Sequence, residues 1–186
     1  TMLPPDVNES EALFTVVDDR TIRCGLGVIK NVGFSAIESI VQSRTQRGRF
    51  HSIEELCGGI DLRLVNRKVL ESLIKSGACD SMKRSRAALL ARLDQAMEEA
   101  ASMQRDRLRG QLTLFDALAP PEAARAAAPL RDWPESQKLA YEKSLLGFYI
   151  SGHPLARYEK SLRALATATS QQLLQMADGM TATIGG

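Results

Sequence analysis

Hydrophobic residues recur along most of this chain at intervals of three and four, which is the spacing of one face of an α-helix. Four segments carry this pattern, and each is bounded by residues that begin or end helices. They are residues 34–44, a short helix that the capping box Ser52-Ile53-Glu54-Glu55 opens and Gly58-Gly59 closes, a helix between Asn66 and Gly77, and a longer helix over about residues 84–105. We therefore predict a mainly α-helical fold.

The two ends of the chain instead show strand character. The runs Ala12-Leu13-Phe14-Thr15-Val16-Val17 and Thr21-Ile22-Arg23-Cys24 are rich in β-branched and aromatic residues and flank Asp18-Asp19-Arg20, which predicts a small β-hairpin. Near the C-terminus, Thr181-Ala182-Thr183-Ile184 predicts one strand of a truncated further domain. The chain opens and closes in mid-pattern, so we expect a fragment of a longer protein.

Composition changes between residues 110 and 131, where three prolines accompany a run of alanines. Proline cannot continue a helix, so this segment is predicted to be a linker. Pro134 then predicts a helix that starts at that residue and runs through Leu146, because proline suits the first helical position. His153-Pro154 predicts the start of one more helix, since the residue before proline is held out of the helical region.

The overall composition is that of a soluble globular chain of one or two domains. Of the 186 residues, 44% are hydrophobic and 25% are charged, and no apolar run reaches the roughly 18 to 20 residues of a membrane-spanning helix. The three cysteines, Cys24, Cys57 and Cys79, form no C-x-x-C pair, which predicts buried packing residues rather than a disulfide framework or a zinc site. We accordingly expect a cytoplasmic protein without membrane association.

The net charge of +2 conceals two basic blocks. Residues 20–49 carry six lysines and arginines against one acid, and residues 61–92 carry eight against three, so each block has a net charge of +5. Such blocks attract nucleic-acid phosphates, but they also occur on solvated helix faces. Charge alone leaves both interpretations open.

The first basic block contains the glycine-rich stretch Gly25-Leu26-Gly27-Val28-Ile29-Lys30-Asn31-Val32-Gly33, a candidate phosphate cradle. It is not a dinucleotide fingerprint, because Lys30 stands where G-x-G-x-x-G requires its third glycine. It is not a P-loop either, since no Gly-Lys pair occurs in the chain. Both familiar kinds of nucleotide site are therefore disfavoured.

A different phosphate site forms where a short glycine turn joins two helices. Residues 28–44 and 69–93 have this form, with turns at residues 29–33 and 74–78. The first N–H groups of the second helix have no helical partner and lie at its positive dipole end, so they favour an anion. Asn31 tolerates left-handed backbone, and Gly33 permits close approach of a phosphodiester. An αα-hairpin that merely packs stays an equal alternative.

The first unit resembles the helix-hairpin-helix DNA-binding motif, whose turn reads hydrophobic-x-Gly-hydrophobic-Gly. Ile29, Val32 and Gly33 match that turn, and Asn31 replaces its first glycine. Ala36 and Ile40 stand for the alanine and isoleucine that follow the turn in the motif, whereas the second unit keeps only Gly77. The resemblance implies contacts with the DNA backbone from Lys30, Asn31, Val32, Gly33, Phe34 and Ser35 in the first unit and from Lys75, Gly77, Ala78, Lys83 and Arg84 in the second.

Four ordered blocks extend the resemblance over nearly the whole chain. They are residues 3–8 (LPPDVN), 22–33 (IRCGLGVIKNVG), 73–81 (LIKSGACDS) and 141–155 (YEKSLLGFYISGHPL). Together they resemble the alpha subunit family of bacterial DNA polymerase III, although that family often has an aromatic residue where Cys24 and Cys79 stand. Its members are DNA-directed DNA polymerases, and an error-prone paralogue is the nearest rival within the family.

The resemblance implies a domain organisation. It assigns residues 1–24 to the end of the fingers region, 25–105 to a tandem helix-hairpin-helix domain of the SAM-like kind, 106–132 to a linker, 133–178 to a helical connector and 179–186 to the start of an OB-fold. The catalytic palm with its metal-binding aspartates would lie upstream. We therefore expect a noncatalytic, cofactor-free segment of a bacterial replication protein.

The predicted linker contains Gln111-Leu112-Thr113-Leu114-Phe115, which resembles the sliding-clamp-binding pentapeptide Gln-Leu-x-Leu-Phe. In this resemblance Gln111 hydrogen-bonds to a pocket rim and Leu114-Phe115 fill an apolar pocket, and Leu112 is also assigned to clamp binding. A linker that exposes such side chains is expected to have a partner. The alternative is a short helix that packs on its own domain.

No catalytic constellation is predicted within the chain. His51 and His153 are 102 positions apart, and Glu98-Glu99 reads as a solvated helix face. The expected partners are duplex DNA, bound without sequence preference, the sliding clamp and other subunits of the polymerase III holoenzyme. A free-standing helical scaffold that binds only protein is the rival interpretation from another functional class.

Overall fold

A computed structural model describes residues 1–108 and 131–185. Helices dominate these residues, and a small sheet of three strands lies near the N-terminus, which confirms the mainly α fold class. The chain divides into two compact units, Thr1–Ile150 and Ser151–Gly186. The elements are β1 (Met2–Leu3), β2 (Thr15–Asp18), β3 (Thr21–Arg23), α1 (Phe34–Arg47), α2 (Ile53–Gly59), α3 (Arg67–Ser76), α4 (Arg86–Leu108), α5 (Glu135–Leu146), α6 (Glu159–Leu165) and α7 (Ser170–Leu173).

The predicted β-hairpin is confirmed. Strands β2 and β3 pair antiparallel, with Val16 opposite Ile22, and the carboxylate of Asp18 accepts the N–H of Arg20 at 2.8 Å within the turn. Strand β1 adds a parallel neighbour on the other side of β3, with Met2 opposite Ile22. The sequence did not predict β1, because a strand of two residues is too short to show an alternating pattern.

Local sequence signals set the starts of α2 and α3. The hydroxyl of Ser52 accepts the N–H of Glu55 at 3.2 Å, and the carboxylate of Glu55 accepts the N–H of His51 at 2.7 Å, one residue before the position of an ideal capping box. The amide oxygen of Asn66 caps α3 by accepting the N–H of Val69 at 3.2 Å. Both caps agree with the sequence prediction.

Helices α1 to α4 enclose a hydrophobic core, and helix α5 adds to its edge. Each helix buries the stripe that its three-and-four spacing predicts, so burial of these stripes is the main stabilising contribution. The largest fully buried apolar side chains are Val7, Leu26, Ile29, Ile40, Ile53, Leu56, Ile60, Leu70, Leu73, Ile74 and Leu93.

A short segment before β2 ties distant turns of this unit together. The side-chain amide of Asn8 donates to the carbonyl of Phe50 at 2.9 Å and to the hydroxyl of Ser81 at 3.0 Å. The N–H of Val7 donates to the carbonyl of Ala78 at 2.8 Å. The loop before α2 and the turn after α3 are therefore held through one N-terminal segment.

Helix α5 follows the residues that lie outside the described part of the chain, and it belongs to the first compact unit. Pro134 is its N-cap rather than its first helical residue, because Pro134 has an extended ψ of 148° while its carbonyl accepts the N–H of Lys138 at 3.1 Å. The boundary between the two compact units falls after Ile150, within the residues 133–178 that the resemblance assigns to one connector. At the predicted start of the linker, α4 continues to Leu108.

The second unit differs from the sequence prediction at two points. His153-Pro154 does not start an α-helix: a 3₁₀ turn at Ala156–Tyr158 comes first, and α6 begins at Glu159. The segment 181–184 forms no strand; the carbonyl of Thr183 accepts the N–H of Thr167 at 2.9 Å. A strand requires a ladder of paired residues, which this short contact does not provide.

The three cysteines are buried, as their predicted packing role requires. Burial raises the pKa of the Cys24 thiol, raises that of Cys57 to about 12 and moves that of Cys79 far above its ordinary value. The thiolate is the reactive form, so we expect these thiols to be unreactive in the folded chain.

We expect the native thiols to react with a maleimide only when the chain unfolds. For Cys57, a pKa raised from 9.0 to about 12 lowers the thiolate fraction on the order of a thousandfold. The measurement is the labelling rate at pH 7.5 with and without denaturant, resolved per cysteine by mass spectrometry. Rapid labelling of native Cys57 would contradict its burial.

Candidate nucleic-acid interface

The N-terminus of α1 carries backbone donors without a partner. Gly33 is the N-cap and no side chain caps the helix. The N–H groups of Gly33, Phe34 and Ser35 donate no hydrogen bond within the described residues, and all three residues are exposed. Three consecutive donors therefore point from the positive end of a 14-residue helix into solvent, which suits an anion.

The turn before α1 is held by contacts from two sides. Asn31 has a φ of 71°, the left-handed conformation predicted for it, and its side-chain amide donates to the hydroxyl of Ser72 on α3 at 3.1 Å. The N–H of Lys30 donates to the carbonyl of Leu145 on α5 at 3.0 Å. Val32 is buried, so the turn is anchored in the core while Gly33 stays outside.

Gly33 is not required by backbone strain. Its φ of −81° and ψ of 162° are extended values that any residue adopts, and a Cβ built there meets no atom within 4 Å. A residue with a side chain fits the fold at this position. The glycine instead leaves open space beside the free N–H groups, which allows a phosphodiester to approach the backbone.

Two lysines flank this helix end. Lys30 and Lys68 are exposed, and neither forms an ion pair within the described residues. The carbonyl of Lys68 accepts the hydroxyl of Ser72 at 2.9 Å, and Ser72 is the residue that holds Asn31, so Lys68 lies one turn along the same face of α3. The sequence prediction missed Lys68, because only the tertiary contact brings α3 to the first turn.

The side chains at the start of α1 add two further features. Phe34 is 66% exposed, and Ser35 is exposed beside it. The hydroxyl of Ser35 forms no hydrogen bond within the described residues. A phosphate at this helix end therefore has a hydroxyl donor in addition to the backbone N–H groups.

The second predicted hairpin does not present a matching site. Gly77 and Ala78 are buried, and their N–H groups are used to end α3, by donating to the carbonyls of Ile74 and Leu73 at 3.1 Å and 2.9 Å. Gly77 is a helix C-cap with a φ of 90°, so it stands at the negative end of α3 rather than at the positive end of α4. The N–H groups of Gly77 and Ala78 are therefore already used within the protein, and their contact with phosphate stays a prediction.

Lys75 is also engaged inside the protein. Its ammonium pairs with Glu71 and lies 4.9 Å from the ring centroid of Tyr141 on α5. The hydrogen bond from Lys75 holds the pKa of Glu71 below its ordinary value, although burial acts in the opposite direction. The DNA contact predicted for Lys75 stays a prediction, and in the folded chain its ammonium already has Glu71 and the Tyr141 ring as partners.

The N-terminus of α4 is occupied by the protein's own oxygens. Ser85 Oγ accepts the N–H of Ala88 at 3.2 Å, and the carboxylate of Asp132 accepts the N–H of Ala87 at 3.4 Å. Lys83 and Arg84, also predicted to contact DNA, precede this helix end and are exposed, without ion pairs within the described residues. Their charges remain available, whereas the helix end itself does not.

Half of the cations in the two basic blocks form ion pairs within the protein, two in the first block and five in the second. The pairs are Arg44–Glu11, Arg49–Glu9, Arg63–Asp61, Arg67–Asp94, Lys75–Glu71, Arg86–Asp80 and Arg92–Glu54. The basic charge free to meet a polyanion is consequently smaller than the composition suggests. Of the second block, Lys68, Lys83 and Arg84 are exposed without such a pair in the described part of the chain.

The predicted clamp-binding residues Gln111, Leu112, Leu114 and Phe115 lie outside the described residues. Within the described residues, no group of three or more histidine, cysteine or acidic side chains is placed to hold a metal ion. In the same residues, no helix combines the length and apolar character needed to cross a membrane.

Residues 1–89 match the family described as the helix-hairpin-helix motif, a region that contains the α1 helix end and both predicted turns.

The chain is also similar to DNA polymerase III subunit alpha of several organisms. The identity is 40% over 173 residues to the protein of Neisseria meningitidis serogroup B, 39% over 163 residues to that of Escherichia coli K12 and 35% over 185 residues to that of Haemophilus influenzae. These alignments cover 92%, 87% and 98% of this chain but only 15%, 14% and 16% of the relatives. The chain thus belongs to the DNA polymerase III alpha subunit family and corresponds to one segment of those proteins.

Proposed function

We propose that this chain is a noncatalytic, DNA-gripping segment of a bacterial polymerase III alpha subunit, and that it binds duplex DNA through the phosphate backbone without sequence preference. The observation that carries the proposal is the row of free N–H groups from Gly33 to Ser35, flanked by Lys30 and Lys68. This helix end lies within the residues that match the helix-hairpin-helix family, which supports nucleic acid as the ligand.

The chemistry of this helix end suits phosphate rather than base edges. Backbone N–H groups and lysine ammonium groups position a protein on the duplex but carry no sequence information. The contact area is small, since the second hairpin contributes charge from Lys83 and Arg84 but no free helix end. We therefore propose weak, salt-sensitive binding that adds to the grip of a larger protein.

We expect the logarithm of the duplex affinity to fall linearly with the logarithm of the salt concentration. With about three to five phosphates contacted, the slope should be roughly −3 to −4.5. The measurement is fluorescence anisotropy with two duplexes of unrelated sequence between 50 and 200 mM salt. A slope near zero, or binding of protein partners alone, would support the scaffold interpretation instead.

We also propose that Gln111-Leu112-Thr113-Leu114-Phe115 tethers the polymerase to its sliding clamp. Helix α4 ends at Leu108, three residues before the motif, and on the far side of the linker Asp132 bonds to the start of the same helix. The two anchors are about 35 Å apart along α4, whereas the 24 intervening steps of chain reach at most about 80 Å. The segment between the two anchors is therefore longer than the distance it has to span, which leaves enough chain for the motif to reach a pocket on another protein.

DNA synthesis itself is proposed for the whole protein rather than for this segment. The relatives are named as polymerase subunits, and this chain spans only 14–16% of the length of those relatives in the alignments given above. We propose that a palm domain elsewhere in the protein supplies the metal-dependent chemistry and that other holoenzyme subunits bind outside this segment. The proposed location is the bacterial cytoplasm.

A further inference from the structure

A buried ion pair joins α4 to α5. Arg86 is 5% exposed and Glu142 is fully buried, and both terminal nitrogens of Arg86 donate to Oε1 of Glu142 at 3.1 Å. The second carboxylate oxygen of Glu142 accepts the N–H of Ile150 at 3.1 Å. Without Glu142, the buried guanidinium of Arg86 would keep only the exposed Asp80 as a counter-ion, so the buried pair favours one position of α5.

The other side of Arg86 faces the turn after α3. Its Nη2 donates to Asp80 Oδ2 at 2.8 Å, and its Nη1 donates to the carbonyl of Lys75 at 3.3 Å. A Cβ on Gly77 would collide with the guanidinium, so Gly77 is needed for space as well as for its positive φ. The guanidinium of Arg86 therefore bonds both to the turn of the second hairpin and to helix α5.

One turn beyond Glu142, helix α5 supports the turn of the first hairpin. The carbonyl of Leu145 accepts the N–H of Lys30 at 3.0 Å, and the neighbouring Leu146 is buried in the core. Lys30 immediately precedes Asn31, whose left-handed backbone directs the chain toward Gly33. The free N–H groups of α1 are thus positioned by a helix that lies more than 100 residues later in the chain.

We infer that Glu142 is a positioning residue for DNA binding: by holding α5 on Arg86, it places the Leu145 carbonyl that fixes the Lys30 turn. The expected effect on DNA binding rests on the proposed function. The expected effect on the hydrogen bond of Lys30 does not. The sequence assigned α5 to a connector, so nothing in the sequence prediction gave this helix a part in the interface.

The test compares Glu142→Gln with Glu135→Gln in the full chain. Both variants remove one negative charge from α5, and Glu135 is exposed without an ion pair within the described residues. Loss of a negative charge alone strengthens binding to a polyanion. We expect Glu135→Gln to bind duplex DNA at least as well as the parent, and Glu142→Gln to bind about fivefold or more weakly despite the same charge.

Hydrogen exchange supplies a readout that does not require DNA. In Glu142→Gln we expect the Lys30 amide to exchange about tenfold or more faster, while the amides of α2 keep their protection. Equal DNA affinity for the two glutamine variants, or an unchanged Lys30 exchange rate, would overturn the inference. A parent chain that does not bind DNA would overturn the proposed function, and Lys30 exchange would still decide the positioning role.

A double variant guards against simple unfolding. Arg86→Met with Glu142→Met replaces the ion pair by two flexible apolar side chains, an exchange that buried pairs often tolerate. We expect it to restore Lys30 protection and, within about twofold, the duplex affinity. A folded double variant with a protected Lys30 amide but the weak affinity of Glu142→Gln would contradict the inference, since positioning would then be intact without restoring binding.

Discussion

Replacing Leu114 and Phe115 together by alanine is expected to weaken binding to the sliding clamp on the order of a hundredfold or more. Burial of each side chain in an apolar pocket contributes about 1.5 to 3 kcal/mol, and about 1.4 kcal/mol corresponds to a tenfold change in affinity. Gln111 adds roughly 1 kcal/mol through hydrogen bonding. The measurement is calorimetric titration of the purified clamp with the parent and the double variant.

Thr113→Ala is the matched control for this prediction. Thr113 stands at the variable position of the pentapeptide, so its truncation should leave clamp affinity nearly unchanged. Duplex affinity should stay the same in both variants, because all of the proposed DNA contacts lie between Lys30 and Arg84 and none is in the linker. Clamp affinity that survives the double change, or duplex affinity that falls with it, would mean that the segment packs on its own domain.

Gly33→Asp is expected to lower duplex affinity about tenfold or more while leaving the folded state as stable as before or slightly more stable. An aspartate N-cap accepts the free N–H groups of α1 and complements the helix dipole, contributing a few tenths to about 1 kcal/mol to stability. The same carboxylate would occupy the site where the phosphate binds, and its negative charge would repel the DNA backbone. Thermal unfolding tests the expected stability, and titration of the same preparation with duplex DNA tests the expected loss of affinity.

Gly58→Asp is a charge-matched control. Gly58 has no atom within 4 Å of a built Cβ, and its carbonyl accepts a hydrogen bond from Arg47, at the far end of α1. About 20 Å of helix separates it from Gly33, well beyond the screening length of roughly 8 Å at physiological salt. Equal duplex affinities for the two aspartate variants would show that α1 does not contact DNA at its N-terminus.

The helices of the first unit could be predicted because their signals are local. The three-and-four spacing of Ile37 and Ile40, and the caps at Ser52 and Asn66, involve residues within one or two turns of each other. Such interactions form in the same way wherever the segment is placed. The helix that follows Pro134 was predicted within one residue for the same reason.

Elements that depend on a distant partner were not predicted. Strand β1 exists only because β3 offers a hydrogen-bonding edge 20 residues later. The strand predicted at residues 181–184 fails for the opposite reason, since high β-propensity without a paired ladder does not make a strand.

The first hairpin was predicted in more detail than the second. Asn31 adopts the left-handed conformation that the motif suggested, and Gly33 leaves its helix end open. In the second hairpin, the glycine at position 77 suggested the same arrangement, but a turn glycine serves equally to end the preceding helix. Spacing alone does not distinguish these two uses.

By itself, the sequence determined where helices begin and end, which stripes are buried and that one glycine turn resembles a DNA-binding hairpin, because these properties depend on neighbours along the chain. The tertiary structure decided which groups are free to bind. It placed Tyr141 beside Lys75, Ser72 beside Asn31 and the Leu145 carbonyl behind Lys30. Hydrogen bonds and ion pairs act only over a few ångströms, so contacts between residues 40 to 115 positions apart exist only after folding.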